Sequence, residues 1–285
     1  VKNLLLTSPL AGASLLTNLS AAIALSVALL WSSPSAHAAL IAYEGFDITS
    51  GSINGLAGTG GGTATWTSGT WNNTDNVWSA KATGLSYSNL VTTPGGGFSS
   101  GPGNQQTFRQ LGAQSATGTY WLGYLFNRTT GGGGDSLGLS FYDGASESTF
   151  VGQAGNSNFG FNAPFGNFTS TEPIVSGNTV FLLARYVMDG NTSGQTSTAH
   201  YWINPNISSQ PSDASAVNGT GGTLFRAFSL SQIRLGSFGS QGDFDEIRIG
   251  TTFADVSPIP EPSTVALLGL GALGLLAMRR RFTRD

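Results

Sequence analysis

The stretch GDFDEIRIG at 242–250 holds three acids within four positions, and its spacing is the first in the chain that could support chemistry. Read as a strand, it puts Asp243 and Asp245 on one face, about 6.6 Å apart, and Glu246 on the other. Two carboxyl groups ~5 to 9.5 Å apart are what glycoside hydrolysis requires. The favoured expectation is structural: these acids pair with Arg248 or Arg234, or cap a strand end. Ca2+ held by Asp243 or Asp245 would need regularly spaced ligands, and no loop has the pattern of a known calcium motif, so no cofactor is expected. His200 in STAHYWIN is the only histidine left if His37 departs with a leader, and cysteine is absent. A thiolate or His-rich zinc cluster and a cysteine nucleophile are thereby excluded. A Ser-His-Asp triad lacks its G-x-S-x-G elbow, which leaves His200 a structural or solvent-facing residue on a strand.

A second chemistry is stacking. Trp66, Trp71 and Trp78 lie in a Gly/Thr-rich region where indole faces could stack on sugar rings while short polar neighbours bond hydroxyls. They are the candidate ligand-binding residues, weighed against the commoner fate of tryptophan in a core. Trp121 and Trp202, in stronger strand patterns, are expected in the core.

The elements that must position these residues are strands. TYWLGYLFNR, LGLSFYDG, TVFLLARYVMDG, TAHYWINP, SQIRLGSFG and GDFDEIRIG are short aromatic and β-branched clusters bounded by glycine-rich turns. No body segment carries a 3.6-residue apolar period over ten residues. The expected architecture is an all-β antiparallel sandwich, with the Gly-rich stretches at 55–63, 93–103 and 129–136 as connecting loops.

Both ends read as addresses. Lys2, the apolar run 21–30 and Ala36-His37-Ala38 have the order of a signal peptide over 1–38, with cleavage by signal peptidase after Ala38. The body, 39–257, is followed by the proline-rich DVSPIPEP and by sixteen uncharged residues, 263–278, before Arg279, Arg280 and Arg281. At ~1.5 Å per residue that run is a short transmembrane helix, with the arginines held on the cytoplasmic side and the body outside. The G-x-G-x-x-G match at 269–274 has no preceding strand and belongs to this apolar run. From 39 to 262 there are seven Lys and Arg against fourteen Asp and Glu, a net charge of about −7, which offers nothing to a phosphate backbone and excludes nucleic acid as a partner.

Pro260-Glu261-Pro262, then the apolar helix, then the terminal arginine cluster, resembles the PEP-CTERM sorting signal over 258–285. That resemblance implies recognition by an exosortase, an integral-membrane cysteine peptidase, with processing near 260–262 and delivery from an inner-membrane-anchored precursor to the envelope or exterior. YEGFD, WTSGTW, GLSY, LSFYDGASE, LLAR, YWINP and FDEIRIGTTFADVSP together resemble the concanavalin A-like, laminin-G-like jelly rolls. This second resemblance implies two packed antiparallel sheets and a non-catalytic carbohydrate-binding domain for exopolysaccharide or surface glycan. The alternatives kept open are a purely structural surface or biofilm component and, further off, a glycoside hydrolase.

Overall fold

The computed structural model describes residues 40–47, 50–53, 72–73, 78–99, 104–163 and 166–258. The signal-peptide residues with Ala36 and Ala38, the tail from Ile259 with Pro260, Glu261, Pro262 and Arg279 to Arg281, and Trp66 and Trp71 lie outside them. The described residues form a two-sheet antiparallel jelly-roll sandwich, as the sequence leads one to expect.

The larger sheet has nine strands. In spatial order they are β14 (Thr223–Phe225), β13 (Ser197–Ile203), β12 (Val180–Asp189), β7 (Thr117–Thr130), β16 (Gln241–Gly250), β5 (Gly96–Ser99), β4 (Trp78–Lys81) and β2 (Ser50–Ser52), with β1 (Leu40–Glu44) also pairing with β16. The smaller sheet has seven, in the order β11 (Gly166–Pro173), β10 (Asn158–Ala163), β9 (Ser146–Ala154), β8 (Ser136–Asp143), β15 (Gln232–Phe238), β6 (Asn104–Gln110) and β3 (Asn72–Asn73). Strand β16, which carries the three acids, therefore lies inside the larger sheet, next to the long strand β7.

Alternation along the strands sorts side chains into two clusters. Tyr120, Leu122, Tyr124 and Phe126 of β7 face Leu137, Leu139 and Phe141 of β8 across the sandwich and belong to its main core. Trp121 and Leu125, one residue out of phase, turn to the opposite face of the larger sheet and join Phe181, Leu183, Trp202, Leu90, Ile207, Ala216 and Val256. That outer face is thus roofed by the segments 85–93 and 204–217 and by a short helix, α1 (Phe253–Val256). Trp121 and Trp202 are buried as expected, but under this roof, with ring centroids 5.7 Å apart, rather than between the sheets. Burial on both faces explains why β7 reads as a nearly continuous apolar run.

One ion pair crosses the interior. Glu44 on β1 of the larger sheet accepts a hydrogen bond from Arg109 on β6 of the smaller, and the two side chains are 2% and 1% exposed. Burial lowers the pKa of Arg109 to about 10, opposed by the adjacent Glu44 carboxylate, so the guanidinium stays charged at neutral pH. A buried charge that loses its partner costs far more than the intact pair contributes. Arg109→Met is expected to destabilise the fold by about 3–5 kcal/mol in chemical denaturation, with part of that loss recovered when Glu44→Gln is added.

Candidate ligand-binding face

Two of the three acids of β16, Asp245 and Glu246, are held in place by the roof. A register shift between Asp245 and Arg248 interrupts the pairing with β7, and Glu246 takes φ 52°, a left-handed conformation. This bulge corrects the strict alternation expected for the stretch: Glu246 does not turn away from Asp245, and both bond the same covering segment. The Asp245 carboxylate accepts the backbone N–H of Leu85 at 2.7 Å and that of Glu246 at 2.8 Å. Glu246 accepts the Thr93 N–H, the Thr93 hydroxyl, the Tyr43 hydroxyl at 2.9 Å and the Arg248 guanidinium at 2.6 Å. The Arg248 guanidinium lies 4.1 Å from the centre of the Tyr43 ring and also donates to the Val91 carbonyl. Asp243 pairs with Lys81 at 2.8 Å. The pairing with Arg248 is the structural role favoured from sequence, and Asp243 and Asp245, on which a hydrolase reading would depend, are bonded to Lys81 and to the Leu85 and Glu246 backbone respectively.

His200 is also committed. Its Nδ1 lies 3.2 Å from Arg185 and its Nε2 3.1 Å from the Thr220 carbonyl, with Asp213 at 3.8 Å, so a serine partner is not among its described contacts. Arg185 bonds Asp213 and lies over Trp121 and Trp202, fastening the 204–217 segment to the sheet. Trp78 needs correction as a sugar-stacking residue. Its side chain is fully buried in the main core, 5.5 Å from Phe244, because the period of β4 turns it inward. Among the described residues no group of three or more His, Asp or Glu converges as a metal site.

The outer face of the smaller sheet is different: Asn162 is exposed and Phe108 and Phe238 are half-buried, beside the buried Arg234, Phe150 and Ser140. Register aligns three parallel rows across its strands. The first runs Phe108, Arg234, Ser140, Phe150, Asn162 and Asn167. Beside it lie Gly236, Gly138, Gly152 and Gly160, four glycines in register on four adjacent strands. On the far side of the glycines stand Phe238 and Ser136.

The glycines make room for rings. A Cβ on Gly138 would stand 2.7 Å from the Phe150 ring and one on Gly236 would stand 2.9 Å from the Phe238 ring, so these two aromatics lie over bare backbone. The Arg234 guanidinium lies 5.3 Å from the centres of both the Tyr142 and Phe238 rings. Its guanidinium donates to Glu147 at 2.6 Å and to Ser140 at 2.9 Å, and Ser140 donates to the same Glu147 oxygen. Phe108 meets Tyr142 edge-on at 5.5 Å. The result is an open depression of about 340 Å³ lined by Ser136, Glu147, Ser148, Thr149, Phe150, Asn162, Arg234 and Phe238. Its size is within the range of small-ligand sites. Another concavity, around Asn204 to Ser215, reaches Trp202, but that ring is only 2% exposed and offers no free face.

Sequence reasoning passed over this face. Its signal was there in QIRLGSF and SLGLSFYD, where period-two reading turns Arg234, Gly236 and Phe238 one way and Ile233 and Leu235 the other. Only the cross-strand register assembles them.

Compared with solved structures, the chain is similar to Cellulose induced protein Cip1 at 12% identity, over 72% of this chain and 98% of that one, with TM-score 0.42. It is also similar to alginate lyase AlgAT5 from Polysaccharide Lyase family 7 at 8% identity, over 63% and 81%, with TM-score 0.35. A third similar structure is the VIP36 exoplasmic/lumenal domain in its Ca2+/Man2-bound form, at 7% identity over 64% and 84%, with TM-score 0.36. These likenesses concern the fold alone. No curated protein sequence matches the chain. The fold is that of a two-sheet antiparallel jelly-roll sandwich. The chain also carries the PEP-CTERM protein-sorting motif, matched over residues 258–281, which implies an exported, membrane-anchored precursor processed by an exosortase.

Two outcomes follow from the geometry of the two faces. Burial pushes the Asp245 carboxyl up to about 8, against the opposing hydrogen bond from Leu85 and with the charge of Glu246 adding to the rise. The unfolded chain has the ordinary value of ~3.9, so the folded state holds this proton more tightly, and the contribution of Asp245 to stability falls as pH rises from ~4 to 8. Denaturation midpoints measured across that window should lose this slope in Asp245→Asn. On the open face, Gly138→Ala is expected to cost about 1–3 kcal/mol, because the new methyl group displaces the Phe150 ring and meets the Val151 carbonyl.

Proposed function

We propose that the body is a non-catalytic module that binds carbohydrate, an exopolysaccharide or a surface glycan, through the open face of the seven-stranded sheet. The observation that carries this reading is the depression in which Phe238 and Phe150 lie by the glycine row beside Arg234, Glu147 and Asn162. The half-buried Phe238 ring suits the C–H face of a sugar ring, and the polar side chains beside it suit hydroxyl groups. The row runs across four strands, a span of about 14 Å at the usual spacing between strands, which suits an extended oligosaccharide better than a compact metabolite.

The non-catalytic part of the reading rests on where the acids stand. Glu147 is the sole acid among the described residues that line the depression, whereas hydrolysis by a carboxyl pair needs two. Asp243, Asp245 and Glu246 are on the other sheet, the first paired with Lys81 of β4 and the other two bonded under the roof. The sorting motif supplies the setting, because a chain sent to the envelope or beyond it meets polysaccharide in quantity.

Affinity electrophoresis against soluble polysaccharides, followed by a glycan array, tests the reading. Phe238→Ala is expected to weaken binding about tenfold, or ~1.4 kcal/mol. Arg234→Lys keeps the charge but loses the planar guanidinium beside Tyr142 and Phe238, and is expected to weaken binding comparably. Full binding by both variants, or no binding by the parent chain to any glycan, would overturn the proposal.

A further inference from the structure

The place where the chain leaves the folded body bears on which way the body faces. After β16 the backbone crosses onto the roof of the nine-stranded sheet. Phe253 meets Trp121 edge-on at 5.6 Å, and Val256 is fully buried against the cluster that contains Leu90 and Leu125. Thr252 and Asp255 close a capping box at the start of α1, and the Ser257 hydroxyl donates to the Phe253 carbonyl. The last described residue, Pro258, accepts the Val91 N–H at 3.0 Å. The body is therefore held firmly up to the first residue matched by the sorting motif.

We propose that in the membrane-anchored precursor this roofed face lies against the phospholipid surface, and that the open face of the seven-stranded sheet points away from it. The inference rests on the sorting motif for the anchor and on the carbohydrate-binding reading for the use of the open face. Its first support is length. The apolar run begins at Ser263, five residues beyond Pro258, and five extended residues span at most about 17 Å. Pro260 and Pro262 stiffen that connector. A connector so short leaves the surface around Pro258 next to the bilayer.

Charge is the second support. The mature body has a net charge of about −7, and anionic headgroups would repel an acidic surface brought within a Debye length. Acids on the roof are confined to two positions. Its segments 85–94 and 204–212 contain no charged residue. Asp213 pairs with Arg185, Asp255 stands on α1, and beneath the roof Asp243 pairs with Lys81 and Glu246 with Arg248. Asp255 beside the exit accepts the Thr251 and Thr252 N–H groups and the Thr252 hydroxyl. Val91, directly bonded to Pro258, is one of the few large apolar side chains left exposed, at 41%.

The consequence is a division of labour between the two outer faces. Anchor and ligand face are on opposite sides of the sandwich, so the tethered chain can engage polysaccharide before it is released, without its own membrane blocking the site.

Since the sequence has no cysteine, single labels can be placed cleanly. Asn89→Cys and Val91→Cys mark the roof, and Asn167→Cys marks the opposite sheet, all in the full chain. Each variant carries a fluorophore and is reconstituted into vesicles of phosphatidylethanolamine and phosphatidylglycerol doped with a nitroxide-headgroup lipid. The expected result is quenching several-fold stronger at 89 and 91 than at 167. Equal quenching at all three, or stronger quenching at 167, would overturn the orientation. Retention of the same vesicles by immobilised polysaccharide is scored separately. Loss of retention with the quenching pattern intact removes the carbohydrate reading and leaves the orientation standing.

Discussion

The bulge at Glu246 is the constraint on which the arrangement of this protein turns. A regular strand through Asp245, Glu246 and Ile247 would point one carboxylate toward each face. The left-handed residue and the register shift beside it bring both carboxylates to the segment that runs over the larger sheet, where they bond Leu85 and Thr93. Two acids in a dry environment are costly unless bonded, and here each accepts backbone or charged donors. That bonding fixes the roof, and the roof makes the two outer faces of the sandwich unlike.

From this difference the rest follows. The larger sheet is buried on both sides, so its strands carry tryptophan, leucine and phenylalanine outward as well as inward. The smaller sheet turns a different set of groups outward: an arginine beside two rings, a partly exposed carboxylate, and glycines that leave room for neighbouring rings. The Glu44–Arg109 pair joins the two sheets through the middle, so the roofed and open faces belong to one cooperative body.

The acids drew attention first because they are the densest functional groups in the sequence, yet their chemistry is that of support. The open face is built mostly from residues with no catalytic reputation. Phe150, Phe238 and the glycine row matter through shape, and Arg234 through its flat guanidinium. Such groups suit the recognition proposed for this face.

The sequence by itself determined the class of architecture and the address. Period-two aromatic clusters between glycine-rich turns can satisfy their backbone groups only as sheets, and the Pro-Glu-Pro, apolar and arginine order is a local, linear signal that needs no fold to be read. The structural role of Glu246 beside Arg248 was also within reach, since the two are only two residues apart. The tertiary structure alone decided which groups each sheet turns outward, that Trp78 points into the core, and that Arg234 of β15 stands in register with Ser140 and Phe150 of the distant β8–β9 hairpin. Local pattern shows that a residue alternates, but register between distant strands decides what stands beside it, and that register is set by the packing of the whole sandwich.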